Sequence, residues 1–157
     1  MVRIGHGIDA HRFTDNRPLM LCGVRIPYKK GLSGHSDADV ALHALIDALL
    51  GAAAKGDIGT LFPDTDPRYK DIASTLLLKE VAEQINLEGF RIGNVDITIV
   101  LEEPRLRPHI LEMRTSIARI LGLAADCVSV KATTTETMGF SGRKEGILAF
   151  ATAGLYR

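Results

Sequence analysis

From residue 3 to residue 13 polar and apolar positions alternate with a period of two, placing Ile4, His6, Ile8 and Ala10 on one side and Gly5, Gly7, Asp9 and His11 on the other. The pattern predicts a strand with one apolar face and one bare, polar face. Residues 19–26 read as a second strand or hairpin arm, ended by Pro27 and the Lys-Lys-Gly turn. Ser36 is placed to cap a helix that runs to about Ala54, with Asp37 and Asp39 in its first turn and Leu42, Leu45, Ile46, Leu49 and Leu50 as its apolar stripe.

Gly56 to Pro67 is dense in Gly, Asp and Pro and reads as a loop. A second helix is expected over Ser74–Leu87, stopped by Gly89, with Leu77, Leu78, Val81 and Ile85 inward. Val95, Ile97, Ile99 and Leu101 mark a strand that ends before Pro104. Pro108 opens a third helix that ends at Gly122, and Val128–Ala132 and Ile147–Tyr156 supply the last strands. The order β-β-α-α-β-α-β-β predicts an α/β sandwich, a mixed sheet with helices on one face.

Without repeats or a Gly/Ser or Pro-rich linker, the 157 residues read as one domain. The 46% hydrophobic content excludes disorder. The balance of 19 Lys+Arg against 19 Asp+Glu argues against a nucleic-acid partner. It also hides segregation: residues 35–66 carry six aspartates against Lys55, whereas residues 105–119 carry four arginines against Glu112. Cys22 and Cys127 are isolated and read as small core residues of a reduced, cytoplasmic protein. No segment approaches the ~20 apolar residues of a membrane span.

Candidate chemistry begins with Asp9-x-His11. Residues two apart on a strand leave the same face roughly 7 Å apart, so a carboxylate and an imidazole can converge on one ion. The missing side chains of Gly5 and Gly7 would let a bulky group approach beside that ion. His43 interrupts the first helix away from its leucine stripe and is the best third ligand, with Asp39 or Asp47 four residues away to orient its ring. Two histidines, a carboxylate and an open position suit catalytic zinc; two separate hydrogen-bonded histidines fit the spacing as well. His35-Ser36 is either an anion site at a helix start or plain capping. Thr133-Thr134-Thr135-Glu136 offers hydroxyl donors for phosphate and a hard oxygen ligand for Mg²⁺ or Mn²⁺, or simply turns. Phosphate-loop, dinucleotide and nucleophile-elbow motifs are absent, which points to phosphate chemistry run by metals rather than by a protein nucleophile.

Taken in order, Arg3-Ile-Gly-His-Gly-Ile-Asp-Ala-His11, Gly34-His-Ser-Asp-Ala-Asp-Val-Ala-Leu-His43, Gly56-Asp-Ile-Gly59, Phe62-Pro-Asp-Thr-Asp-Pro67, Lys131-Ala-Thr-Thr-Thr-Glu136 and Gly139-Phe-Ser-Gly-Arg143 span nearly the whole chain. The set resembles the 2-C-methyl-D-erythritol 2,4-cyclodiphosphate synthases. That resemblance implies a chorismate-mutase-like α/β fold and a homotrimer with active sites between subunits. The implied reaction is cyclisation of 4-diphosphocytidyl-2-C-methyl-D-erythritol 2-phosphate with release of CMP. It further implies that Asp9, His11 and His43 hold Zn²⁺, that Glu136 and the substrate phosphates hold Mg²⁺ or Mn²⁺, and that His35 and Thr134 stabilise the transition state.

The implied substrate contacts are Asp9, His11, His35 and Ser36; Asp57, Ile58 and Gly59; Phe62, Pro63, Asp64, Thr65 and Asp66; Leu101, Glu102, Glu103, Pro104, Arg105, Leu106 and Arg107; Thr133, Thr134, Thr135 and Glu136; and Phe140 and Arg143. Leu101-Glu102-Glu103-Pro104-Arg105 departs from the commoner Ala-Gln-Ala-Pro-Lys, and Thr137-Met138 and Lys144 also depart. Two other readings are a zinc phosphoesterase that activates water and a non-catalytic trimeric scaffold.

Overall fold

In the computed structural model, which describes residues 1–157, the alternating N-terminal segment is strand β1 (Val2–Thr14). A hairpin of β2 (Leu19–Leu21) and β3 (Val24–Ile26) and the short β4 (Gly31–Leu32) precede helix α1 (Val40–Ala53) and the four-residue α2 (Ile58–Leu61). Then come α3 (Ser74–Leu87), β5 (Arg91–Val100), α4 (Ile110–Leu121), β6 (Val128–Thr133), the short α5 (Gly139–Gly142) and β7 (Gly146–Tyr156). The main sheet has the order β4-β1-β7-β5-β6, with β5 and β6 parallel and the other neighbours antiparallel. Helix α1 lies on β1 and β7, α4 on β6, and α3 against both helices. The expected mixed sheet with helices on one face is the fold adopted.

The faces of β1 differ from the simplest reading of their composition. The glycine face is the one turned inward, with Gly5 and Gly7 buried, while Ile4 and Ile8 on the opposite side are 74% and 52% exposed. The glycines admit helix α1 rather than a ligand: a Cβ on Gly5 would stand 1.9 Å from the Ala48 carbonyl oxygen, and one on Gly7 would stand 2.0 Å from that of Ala44. Strand and helix therefore meet backbone to backbone, which brings the first turn of α1 close to Asp9 and His11.

Helix α1 starts later than expected, and its cap is Asp39 rather than Ser36. The Asp39 carboxylate accepts from Leu42 N at 3.1 Å, and from Cys22 N and Gly23 N of the β2–β3 turn at 2.9 and 2.7 Å. One buried carboxylate thus caps the helix and docks the hairpin. Eleven residues of α1 are buried, so it is a central helix rather than an amphipathic one. Its C-cap, Ala54, is left-handed, where the sequence places the end. The segment after it is not wholly loop, because Asp57 caps α2 by accepting from Thr60 N at 2.8 Å. Cys22 is buried in the hairpin turn, whereas Cys127 is only half-buried, outside the core, in a single turn before β6.

Strands β1, β5 and β6 point the same way, so their C-terminal ends share one edge of the sheet. Asp9 pairs across to Ala149, Ala149 to Ile99, and Ile99 to Ala132. This row crosses three strand spacings, about 14 Å. The ends of β1 and β6 thereby lie at the same end of the sheet, separated by β7 and β5.

Candidate metal centre

Three donor atoms converge at the end of β1. His11 Nε2 lies 2.9 Å from Asp9 Oδ2, His43 Nδ1 lies 3.1 Å from the same oxygen, and the two ring nitrogens are 3.1 Å apart. Ligands at about 2.0–2.1 Å around a tetrahedral zinc stand about 3.3 Å from one another, so the triangle needs to open by only a few tenths of an ångström. All three residues are half-buried, and they are the one group of such side chains with this convergence.

The outer contacts of the rings fix where their protons sit. His11 Nδ1 donates to the Ser33 carbonyl at 2.7 Å, because a carbonyl can only accept. On the far side of the other ring, His43 Nε2 meets Ser74 Oγ at 2.9 Å and Ser36 Oγ at 3.0 Å. Ser74 spends its own hydroxyl proton on Asp37 Oδ1, so its oxygen accepts from His43 Nε2. With the outer nitrogens protonated, the inner ones aim two lone pairs at the Asp9 carboxylate. Three electron-rich atoms pointed at one spot fit a bound cation.

A proton on an inner ring nitrogen competes with a cation for the same spot, and its hydrogen bond to Asp9 sets the acid–base balance of the triad. Burial opposes ionisation of Asp9, yet hydrogen bonds and charge from His11 and His43 outweigh it and hold the carboxyl well below its usual range. For His11, burial favours the neutral ring, but the hydrogen bond and charge of Asp9 prevail and raise its pKa. Neither Asp39 nor Asp47 orients His43, contrary to expectation. Asp39 serves the cap, and Asp47 accepts from Ile58 N at 2.7 Å, seating α2 beside the centre.

A cavity of about 490 Å³ opens next to the triad and is lined by His11, Gly34, His35, Ser36, His43, Ile58, Gly59, Phe62, Pro63, Asp64, Tyr69 and Leu77. On sequence alone Leu77, Ser74 and Asp37 have only structural roles and Tyr69 none; only chain folding over 31 residues brings Ser74 to His43. Asp57 and Asp66 are spent as local caps, and Asp66 also pairs with Arg68 at 2.7 Å. Thr65 is exposed and does not line the cavity.

A second cavity of about 410 Å³ lies at the β5–β6 end, lined by Leu101, Glu102, Pro104, Arg105, Leu106, Arg107, Ala132, Thr133 and Thr134. It shares no residue with the first. Glu136 is exposed there and accepts from Thr134 Oγ1 at 2.9 Å, apart from the metal triad. The unusual acids are both engaged: Glu102 Oε1 accepts from Thr135 N at 3.1 Å and Thr137 N at 3.2 Å, while Glu103 pairs with Lys144 at 2.6 Å. Two departures from the commoner pattern, Glu103 and Lys144, therefore answer each other. Phe140 borders a third, smaller recess with His11, and Arg143 pairs with Glu145 at 2.7 Å.

A family model described as the YgbB family matches residues 2–156. The chain belongs to that family. Among curated YgbB-like relatives, a 2-C-methyl-D-erythritol 2,4-cyclodiphosphate synthase of Methylococcus capsulatus is 59% identical over 157 residues, covering 100% of this chain and 99% of its own length. One of the same name from Erwinia tasmaniensis is 58% identical over 156 residues, covering 99% of each. A solved cyclodiphosphate synthase in a CDP-bound form superposes with a TM-score of 0.90 at 38% identity, over 98% of this chain and 100% of that one. The bifunctional IspDF of Campylobacter jejuni gives a TM-score of 0.95 at 44% identity over 99% of this chain, which spans 42% of that longer protein. No helix of this YgbB-family chain is long and apolar enough to cross a membrane.

Proposed function

We propose that residues 1–157 form one catalytic domain that converts 4-diphosphocytidyl-2-C-methyl-D-erythritol 2-phosphate to 2-C-methyl-D-erythritol 2,4-cyclodiphosphate and CMP, a phosphorus–oxygen lyase step of the non-mevalonate isoprenoid pathway in the cytoplasm. The observation that carries this reading is the triangle of Asp9, His11 and His43 facing a cavity, in a chain 59% identical from end to end to a synthase of that activity. Asp9, His11 and His43 would hold Zn²⁺, about one per chain. Glu136, together with the substrate phosphates, would hold Mg²⁺ or Mn²⁺.

An oxygen of the substrate's own 2-phosphate attacks the β-phosphorus, and the bond from that phosphorus to the bridging oxygen of CMP breaks. The attacking group needs no protein base, because a phosphate monoester with a second pKa near ~6 is mostly dianionic at pH 7. When bound, the cations screen the repulsion between the two phosphate groups and the charge that moves to CMP. His35, in the wall of the first cavity, and Thr134, in the wall of the second, donate hydrogen bonds to the phosphoryl oxygens. Asp57 to Gly59, Phe62 to Asp66, Phe140 and Arg143 line the path of the diphosphate and methylerythritol. The Leu101–Arg107 segment, with Thr133 and Thr135, receives the cytidine.

A homotrimer with sites between subunits suits two observations. The sheet face opposite the helices is bare, with Ile4 74% and Ile8 52% exposed beside half-buried Leu148 and Phe150. The two cavities are also separate within one chain, so a neighbouring copy can set one against the other.

The test is product analysis by ³¹P NMR of purified protein supplied with the diphosphocytidyl substrate. CMP and the cyclic diphosphate are expected, abolished by chelator and restored by Zn²⁺ with Mg²⁺. A linear diphosphate or inorganic phosphate would replace this reading by a zinc hydrolase, and absence of both metal and turnover by a scaffold.

A further inference from the structure

Arg17 lies in the connection between β1 and β2, just beyond the strand that carries Asp9 and His11, and its side chain is 27% exposed. Its guanidinium does not face outward as a free charge. Nη1 donates to the Gly34 carbonyl at 2.7 Å, and Nη2 donates to the Ser36 carbonyl. Those two carbonyls flank His35. The His35 carbonyl between them accepts from Asp71 N at 2.8 Å, and Asp71 Oδ1 stands 4.0 Å from Arg17 Nη2. Three successive carbonyls are thus held from outside, two of them by one planar fork.

The consequence for the site follows from what the held segment carries. His35 lines the cavity beside the metal triad, with Nε2 3.4 Å from the Asp66 carbonyl. Ser36 Oγ touches His43 Nε2 at 3.0 Å. The segment belongs to no helix or strand, since it lies between β4 and the Asp39 cap of α1, so regular hydrogen bonding does not fix it. A guanidinium can bond two carbonyls at once in fixed geometry, whereas an ammonium is a point donor on a flexible stem.

We propose that Arg17 is a positioning residue, which sets the aim of the His35 imidazole by bridging the carbonyls of Gly34 and Ser36. The inference rests on the reading in which His35 donates to the substrate. Arg17 itself touches no reacting atom. Its loss leaves Asp9, His11 and His43 in place but lets His35 move by a distance on the scale that costs turnover rather than binding.

The experiment compares wild type, R17A and R17K as full chains. Expected for R17A is a fall in kcat of about tenfold to a hundredfold with KM within about twofold, zinc content as in wild type, and a shifted His35 imidazole resonance in ¹³C,¹⁵N-histidine-labelled protein. Millimolar guanidinium chloride should restore both kcat and the resonance in R17A and do nothing for wild type. R17K keeps the charge without the fork and should fall between the two; it stands in for R17A if that variant does not fold. An unmoved His35 resonance in the variant, or a kcat loss that guanidinium leaves untouched, overturns the proposal. The resonance needs no substrate, so a wild type that makes no cyclic product would remove the functional reading while the bridge is still judged.

Discussion

At the β1 end of the sheet, side chains are aimed by backbone packed on backbone; at the β6 end, they are aimed by a loop held through one carboxylate. Gly5 and Gly7 leave no room for a Cβ against α1, and His11, His43 and Asp9 are half-buried with every ring nitrogen partnered. Thr133, Thr134 and Glu136 are exposed, Glu136 and Thr137 sit at left-handed φ of 52° and 67°, and Glu102 ties the neighbouring amides. The difference matches the tasks assigned above. A metal centre tolerates little displacement of its ligands, so it is built on regular elements, whereas a surface that receives a nucleotide can be shaped by a loop.

The most severe way to break the first end is to add a methyl group where backbone meets backbone. In Gly7→Ala, the Cβ would stand 2.0 Å from the Ala44 carbonyl oxygen, which cannot move without displacing α1. The expected cost is about 3 kcal/mol, at the upper end for overpacking. Gly139→Ala at the other end meets nothing within 4 Å and carries only the penalty of φ +67°, about 1 kcal/mol. Urea denaturation of both variants measures the contrast; equal costs would show that β1 and α1 have slack.

Next in size are the ligands and the groups behind them. His43→Ala removes a ligand, and the purified protein should lose its zinc and its turnover together. Ser74→Ala removes the acceptor that keeps His43 Nε2 protonated and Nδ1 free for the metal. Zinc affinity should fall by about tenfold to a hundredfold, as for other orienting partners, and turnover should return at saturating zinc. Competition with a chelator of known affinity measures both. A Ser74→Ala protein with wild-type affinity would leave Ser36 as the sole orienting group.

The comparison also explains what could be seen beforehand. Helices α3 and α4 and the main strands follow hydrophobic period and Gly or Pro punctuation, which are local, and they lie close to their expected limits, except that β5 begins at Arg91, ahead of the expected Val95. The triad was legible because Asp9 and His11 share a strand face and His43 breaks an apolar helix. The direction of the β1 faces was not legible. Apolar Ile4 and Ile8 look outward because the close approach of α1 selects glycine on the inner side, a tertiary demand that overrides composition. Nor could Asp39 be told from Ser36 as the cap, since the hairpin amides that also need a carboxylate lie 16 and 17 residues away. Ser74, Asp37 and Arg17 act through contacts between distant segments and leave no local pattern.

The smallest expected effect separates the two ends most cleanly. Glu102 Oε1 accepts from Thr135 N and Thr137 N, both through one oxygen, while the Thr135 hydroxyl donates to the Met138 carbonyl at 2.6 Å. Those contacts hold Glu136 between them and Thr134 next to them, in a stretch whose left-handed residues would otherwise relax. Glu102→Ala leaves two amides without an acceptor and should lower kcat about tenfold, the worth of a hydrogen bond to a charged group, while zinc content stays at the wild-type level. Glu102→Gln keeps an oxygen in the same place and should lose less than the alanine variant. Kinetics and metal analysis on the same preparations give the answer. If zinc falls in step with turnover, the ends are coupled through the sheet; if glutamine is as poor as alanine, the negative charge, and not the acceptor, is what the loop requires.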